Sequence, residues 1–466
     1  MKKVWFSLAI CLMVTFLFVP VAFGEGSAAA GEAAVDAGDT AWVLASAALV
    51  MLMTPGLALF YGGMVRTKNV LTTIMQSFFV VALISVQWVL VGYTLTFGPD
   101  VGGLIGGLDF FGLQGVGQEP GPFSQTIPAL AFVAFQCMFA VITPALITGA
   151  FAERMKFPAF VVFMLAWATL VYNPFAHWVW GGGWLFELGA LDFAGGTVIH
   201  ILSGVSGLVA CIVLGKRRGY GTSSILPHHL PMTVLGAALL WFGWFGFNAG
   251  SALGANGLAA SAFVVTQVAA AAATLAWVFA EWIHNGKPTI LGAVSGCIAG
   301  LVAITPAAGF VSTIPSLIIG LAGGAICYFA VAVVKQKLGY DDSLDAFGIH
   351  GVGGTWGAIA TGLFASTGVN PAGTDGLLYG GGAGPVVTQL IAVGAAWVFA
   401  ALMTFVLLKV IGAFMKLRVN EDEESAGLDV SEHGERAYAQ DFVAGAPISH
   451  SHAIVQESVA AKAKLV

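Results

Sequence analysis

The sequence predicts an all-α polytopic membrane protein with eleven transmembrane helices, built as an inverted five-helix repeat plus one extra helix. Composition comes first. Of 466 residues, 58% are hydrophobic and only 9% are charged, with a mean hydropathy of +0.89. A soluble domain of that size needs more charge on its surface. Next, apolar runs long enough to cross a bilayer recur, near 41–63, 70–95, 128–151, 157–176, 195–215, 231–250, 259–282, 289–305, 313–335, 347–366 and 385–415. Finally, the basic residues alternate. Arg66, Lys68, Arg154, Lys156, Lys216, Arg217, Arg218, Lys287, Lys335 and Lys337 follow odd-numbered spans, and the remaining ones beyond the leader fall at the end of the last span or in the tail. Connections 96–127, 177–194, 251–258, 306–312 and 367–384 contain none. The positive-inside rule then places the N-terminus outside and the tail in the cytoplasm.

Residues 1–24 read as a signal peptide, with Lys2-Lys3, an apolar run and Ala22-Phe-Gly24 for cleavage. A retained first helix is the alternative. Residues 25–40 form an acidic, alanine-rich external spacer, 41–418 the eleven-helix domain, and 419–466 a cytoplasmic tail. In the third span Phe135 and Phe139 stand four apart, hence on one helix face. After the fourth span comes His177-Trp-Val-Trp180-Gly-Gly-Gly-Trp184, aromatic and free of charge. Such a stretch suits cation–π capture of a monovalent cation, worth about 2 kcal/mol when desolvated. An interfacial tryptophan belt is the alternative for Trp178 and Trp184.

The fifth span opens Asp192-Phe-Ala-Gly-Gly-Thr-Val-Ile-His200, and the tenth opens Asp345-Ala-Phe-Gly-Ile-His350. Gly204 and Gly207 follow His200 at the same spacing as Gly354 and Gly357 follow His350. These positions fall near one helix face, where the glycines allow a neighbouring helix to come close beside the imidazole. Five crossings separate the two histidines, so their spans run in opposite directions, as in an inverted repeat with a central site. Ionisable groups at membrane depth are costly and are kept mostly for function. Neutral imidazoles facing each other suit a small solute that both donates and accepts hydrogen bonds; a purely structural pair is the alternative. Asp192 and Asp345 each precede a span, placed to favour its N-terminal dipole or to anchor a loop. In the sixth span Trp244, Phe247 and Ser251 form one stripe towards the external end. Gly292, Gly296 and Gly300 in the eighth span read as ordinary helix packing.

Other classes find little support. There is no basic patch with interleaved aromatics for nucleic acid. Cys137, Cys211, Cys297 and Cys327 are isolated, and no third ligand with metal-site spacing accompanies the histidines. No hydrolase or metalloprotease pattern is present, so an enzyme is the weakest reading. His450 and His452 belong to a tail read as solvated.

These motifs together resemble the ammonium transporter (Amt/Mep/Rh) family, on its bacterial Amt side. They are the Asp192–His200 stretch, Gly243-Trp-Phe-Gly-Phe-Asn-Ala-Gly-Ser251, Phe347-Gly-Ile-His350-Gly, Gly56-Leu-Ala-Leu-Phe-Tyr-Gly-Gly63 and Ala152-Glu-Arg154. The likeness covers about residues 40 to 442; Val443–Val466 matches no family segment. It implies a homotrimer in the bacterial inner membrane, with one pore per subunit, taking up ammonium (methylammonium as analogue) without any cofactor. By resemblance, Phe135, Phe139, Trp180 and Ser251 form an external recruitment site, and Phe139 and Phe247 form a stacked gate. His200 and His350 are the twin histidines, Trp244 lines the pore, and Asp192 orders the recruitment region. Gly427–Tyr438 resembles the family's regulatory tail, with a PII-type signalling protein as expected partner. Ammonium resembles potassium in size and charge but can shed a proton, so a dry pore passing ammonia separates the two. The resemblance favours net charge transfer; an electroneutral ammonia or gas channel, or an ammonium sensor, is the alternative.

Overall fold

The structure, a computed structural model, describes residues 35–438. The expected signal peptide, most of the spacer, and His450 and His452 lie outside the described residues. In chain order the helices are α1 (Ala37–Met64), α2 (Thr67–Phe97), α3 (Ala129–Phe151), α4 (Phe157–Glu187), α5 (Gly196–Leu214), α6 (Leu230–Gly250) and α7 (Gly257–Asn285). They continue as α8 (Ile290–Ile304), α9 (Thr313–Leu338), α10 (Phe347–Gly351 continued by Val352–Phe364) and α11 (Gly384–Phe414). Nine of these, among the described residues, are long and apolar enough to cross a membrane; α8 is a shorter apolar helix. Each expected span coincides with a helix, though α8 is short and α10 is in two parts. Between α2 and α3 lie two small antiparallel hairpins, Asp100–Val101 with Ile105–Gly106 and Pro120–Gly121 with Ser124–Pro128.

Close backbone packing organises the centre. A Cβ on Gly204 would collide with the backbone of Gly351, and one on Gly354 would lie 3.0 Å from His200 Cβ. Gly207 in turn faces Ala346. Positions rise along α5 as they fall along α10, so the helices cross antiparallel, as their place in an inverted repeat requires. Both histidine segments, Gly196–Ile201 and Phe347–Gly351, are π-helical. This wider winding is often kept at functional sites. Gly292, Gly296 and Gly300 fit against Glu281, Trp277 and Ala273 of α7, the packing role their spacing indicated.

On the side of the tail, buried charges tie the loops together. Glu153, in the left-handed region at φ 72°, accepts from the Arg66 backbone N–H at 2.7 Å and its Nε at 2.8 Å. Arg217 grips Asp341 through Nε and Nη2, and Arg154 donates to the Asp341 carbonyl at 2.6 Å. The tail docks on the same side, as two short helices, α12 (Glu421–Ala426) and α13 (Leu428–His433). Asp429 caps α2 by accepting from Leu71 N and Thr72 N, and Glu424 pairs with Arg418 at 2.7 Å.

Asp341 supplies a pH prediction. Burial pushes its carboxyl up, but the Arg217 hydrogen bonds and charge, aided by Arg154, outweigh this and hold it below the ordinary range. A depressed folded value means the contribution is complete above the unfolded value of about 3.9 and fades as pH falls through the folded one. Asp341→Asn is therefore expected to cost about 2 kcal/mol near neutral pH, since it removes one partner of a buried pair. In thermal unfolding of detergent-solubilised protein, the gap from wild type should narrow below about pH 4. A gap that stays constant into acid would refute the electrostatic account.

Candidate functional site

Four helices, α3, α5, α6 and α10, bring their rings together inside the bundle. Phe135 and Phe139 project from one face of α3, their centroids 4.9 Å apart. Phe247 of α6 stacks on Phe139 at 4.4 Å and 30°. Beyond it, His200 lies 6.0 Å from Phe247 and 5.4 Å from Trp244, and 5.2 Å from His350. The imidazoles face each other through their Nδ1 atoms at 3.2 Å. One Nδ1 must carry the hydrogen and the other must be bare, so the pair is shared by a single proton. His200 Nε2 is buried without a hydrogen-bond partner. It is a donor in one tautomer and an acceptor in the other. Ile142, Leu146, Ile199, Leu240 and Ile298 line the cavity beside the two rings, an apolar wall that offers a bare ion no ligands.

On the other side of the phenyl pair, Trp180 stands edge-on to Phe139 at 6.2 Å and 90°. Its indole N–H donates to the Asp192 carbonyl at 2.8 Å. The Asp192 carboxylate is occupied by its own loop. It accepts from the backbone N–H groups of Gly195, Gly196, Thr197 and Val198, and from the Thr197 hydroxyl. Gly195, at φ 113°, makes the turn that brings these donors round. Burial raises the Asp192 carboxyl above its usual range, with the Thr197, Gly195 and Gly196 hydrogen bonds opposing. Asp192 thus braces both the Trp180 ring and the start of the His200 segment. Ser251 follows Gly250, against which Phe135 packs, and its Oγ donates to the Phe247 carbonyl at 2.8 Å. Ring contacts thus link Trp180 and Phe135 to Phe139, Phe139 to Phe247, Phe247 to Trp244 and His200, and His200 to His350, with Ser251 bonded to the Phe247 carbonyl.

Of the two readings of Asp345, helix capping and loop anchoring, the structure agrees with the second. Asp345 does not cap α10; it pairs with Lys335 at 2.6 Å, and its φ of 62° turns it away from the helix start. The cap is Asp342, which accepts from Ala346 N and Phe347 N. The sequence held the signal, because Asp192-x7-His200 and Asp342-x7-His350 have the same gap. Two further supports were missed. Thr305 accepts the Trp244 indole N–H at 2.9 Å, and Gln389 of α11 bonds the backbone beside Asp192. Neither carries a motif in the sequence.

With this geometry in place, the likeness to known proteins is specific. A model of the Ammonium Transporter Family matches residues 41–438. The ammonium transporter of Bacillus subtilis is 60% identical over 401 residues, covering 86% of this chain and 98% of its own. That of Aquifex aeolicus is 50% identical over 428 residues, covering 91% and 98%. The crystal structure of Candida albicans Mep2 is similar with a TM-score of 0.80 at 37% identity, covering 87% of this chain and 91% of that one.

Proposed function

The chain belongs to the ammonium transporter family, a family of transporters and not of enzymes, and on that premise we propose a recruit, deprotonate and conduct mechanism. Ammonium is held at Trp180, Phe135, Phe139 and Ser251 by cation–π attraction and a hydroxyl acceptor. It gives up its proton there, because the stacked Phe139 and Phe247 rings and the apolar wall make passage of the bare ion very costly. Neutral ammonia then moves along His200 and His350, donating to one nitrogen and accepting from another. The proton follows separately, so that charge crosses. Potassium, which has no proton to lose, is refused.

The observation that carries this reading is the partnerless Nε2 of His200, set in an apolar wall with its Nδ1 already engaged by His350. We further propose eleven crossings, a homotrimer in the bacterial inner membrane, N-terminus outside after loss of residues 1–24, and the tail inside. A PII-type protein would meet the tail face.

Methylammonium uptake and ammonium-dependent current in proteoliposomes test the proposal. Trp180→Ala is expected to raise the half-saturating concentration roughly fivefold, as loss of about 1 kcal/mol of cation–π attraction would. Maximal flux should stay within about twofold, since the histidine passage, which sets the barrier, is untouched. An unchanged half-saturating concentration would remove Trp180 from the site. Flux without current would replace net charge transfer by an electroneutral channel.

A further inference from the structure

The last helix stands outside the inverted repeat, yet it reaches the recruitment region through one side chain. Gln389 of α11 is 1% exposed. Its Oε1 accepts the Leu191 backbone N–H at 2.8 Å, and its Nε2 donates to the Leu191 carbonyl at 2.8 Å and the Ala358 carbonyl of α10 at 2.9 Å. A primary amide here pairs with a peptide group as a neighbouring strand would, reading both its donor and its acceptor. An ionised carboxylate lacks the donors, and an aliphatic side chain has neither function. Leu191 leads directly into Asp192. The Asp192 carbonyl takes the Trp180 indole, and its carboxylate caps the segment that carries His200.

From this juxtaposition we infer that Gln389 is a positioning residue of the recruitment site. It fixes the Leu191–Asp192 backbone, holds Trp180 edge-on to Phe139, and so sets the affinity for ammonium. The inference rests on the recruitment reading above. The alternative is that Gln389 only fastens α11 to the bundle. In that case its loss would cost stability and leave the dependence of flux on ammonium concentration unchanged.

The test compares wild type, Q389L, Q389E and T404V in proteoliposomes, with ammonium flux normalised to folded protein. The pH is set equally on both sides, from about 5.5 to about 8, the range over which a buried carboxyl with a raised value titrates. Thr404 also lies on α11, where it donates to Ser206 and accepts from Trp167, far along the helix from Leu191. Q389L should raise the half-saturating concentration about threefold, less than removal of the Trp180 ring does, because the ring is displaced and not lost. Its maximal flux should change by less than about twofold, because the passage itself is intact. Q389E should match Q389L at the alkaline end. It should approach wild type in acid, where its protonated carboxyl donates to the Leu191 carbonyl and accepts the Leu191 N–H. T404V should unfold earlier and keep the wild-type half-saturating concentration. Wild-type half-saturation in Q389L overturns the inference, as does a ratio of Q389E to wild type that is flat across pH. Should Q389L fail to fold, the Q389E ratio decides alone. Absence of saturable ammonium flux in both wild type and T404V would defeat the transport reading and this inference with it.

Discussion

Replacing His200 or His350 by leucine is expected to cut ammonium flux about a hundredfold, an added barrier of about 2.7 kcal/mol. Leucine fills much of the imidazole volume and leaves the wall apolar, so the passage stays dry. What it removes is the hydrogen-bonding pair whose Nδ1 atoms lie 3.2 Å apart. Ammonia passing such a stretch leaves its donors or its lone pair unsatisfied, at about 1–3 kcal/mol for each group. The two replacements should be similar in size and far from additive, because either one breaks the shared-proton pair. Flux in proteoliposomes, with potassium permeation as a second readout, is the measurement. Flux of His200→Leu within about twofold of wild type would show that the solute does not travel along the rings.

Gly204→Val is expected to be the most damaging change in the fold, costing more than about 4 kcal/mol or preventing assembly. The added Cβ would meet main-chain atoms of Gly351, which belong to the segment bearing His350 and have no rotamer to change. Relief would have to come from separating α5 and α10, which opens the histidine pair. Gly394→Ala on α11 is the matched control, since a Cβ there meets nothing within 4 Å. That substitution should be neutral, or favourable by up to about 1 kcal/mol through helix propensity. Yield of folded protein and thermal unfolding in detergent report both. Ordinary stability of Gly204→Val would mean that the two helices are further apart than described.

Much of this was legible in the sequence because the bilayer restricts what a chain can do. Apolar runs must be helices there, since backbone groups have no other partners, and each expected span meets a helix. The pairing of His200 with His350 was legible from duplicated spacing, including the glycines beside them. What escaped notice depends on side chains that bond to backbone. Asp342, Ser343 and Asp345 all precede α10, and the gap to His350 that singles out Asp342 is a weak signal until its carboxylate is seen to accept from Ala346 N and Phe347 N. Gln389 reads as one more polar residue in a long apolar helix until the fold brings Leu191 to it. Membership of the family rested on the motifs taken together, since no one of them specifies a substrate.

The main-chain contact between α5 and α10 also bears on how cargo gets across. Many carriers built from inverted halves work by rocking one half against the other around a fixed midpoint. Here the midpoint is where backbone touches backbone, with no side-chain cushion to slide on. Such a contact resists sliding of one half on the other, which speaks against an alternating-access cycle. On the mechanism proposed above, the solute then threads a standing passage, and the rings around it, not the halves, are what must give.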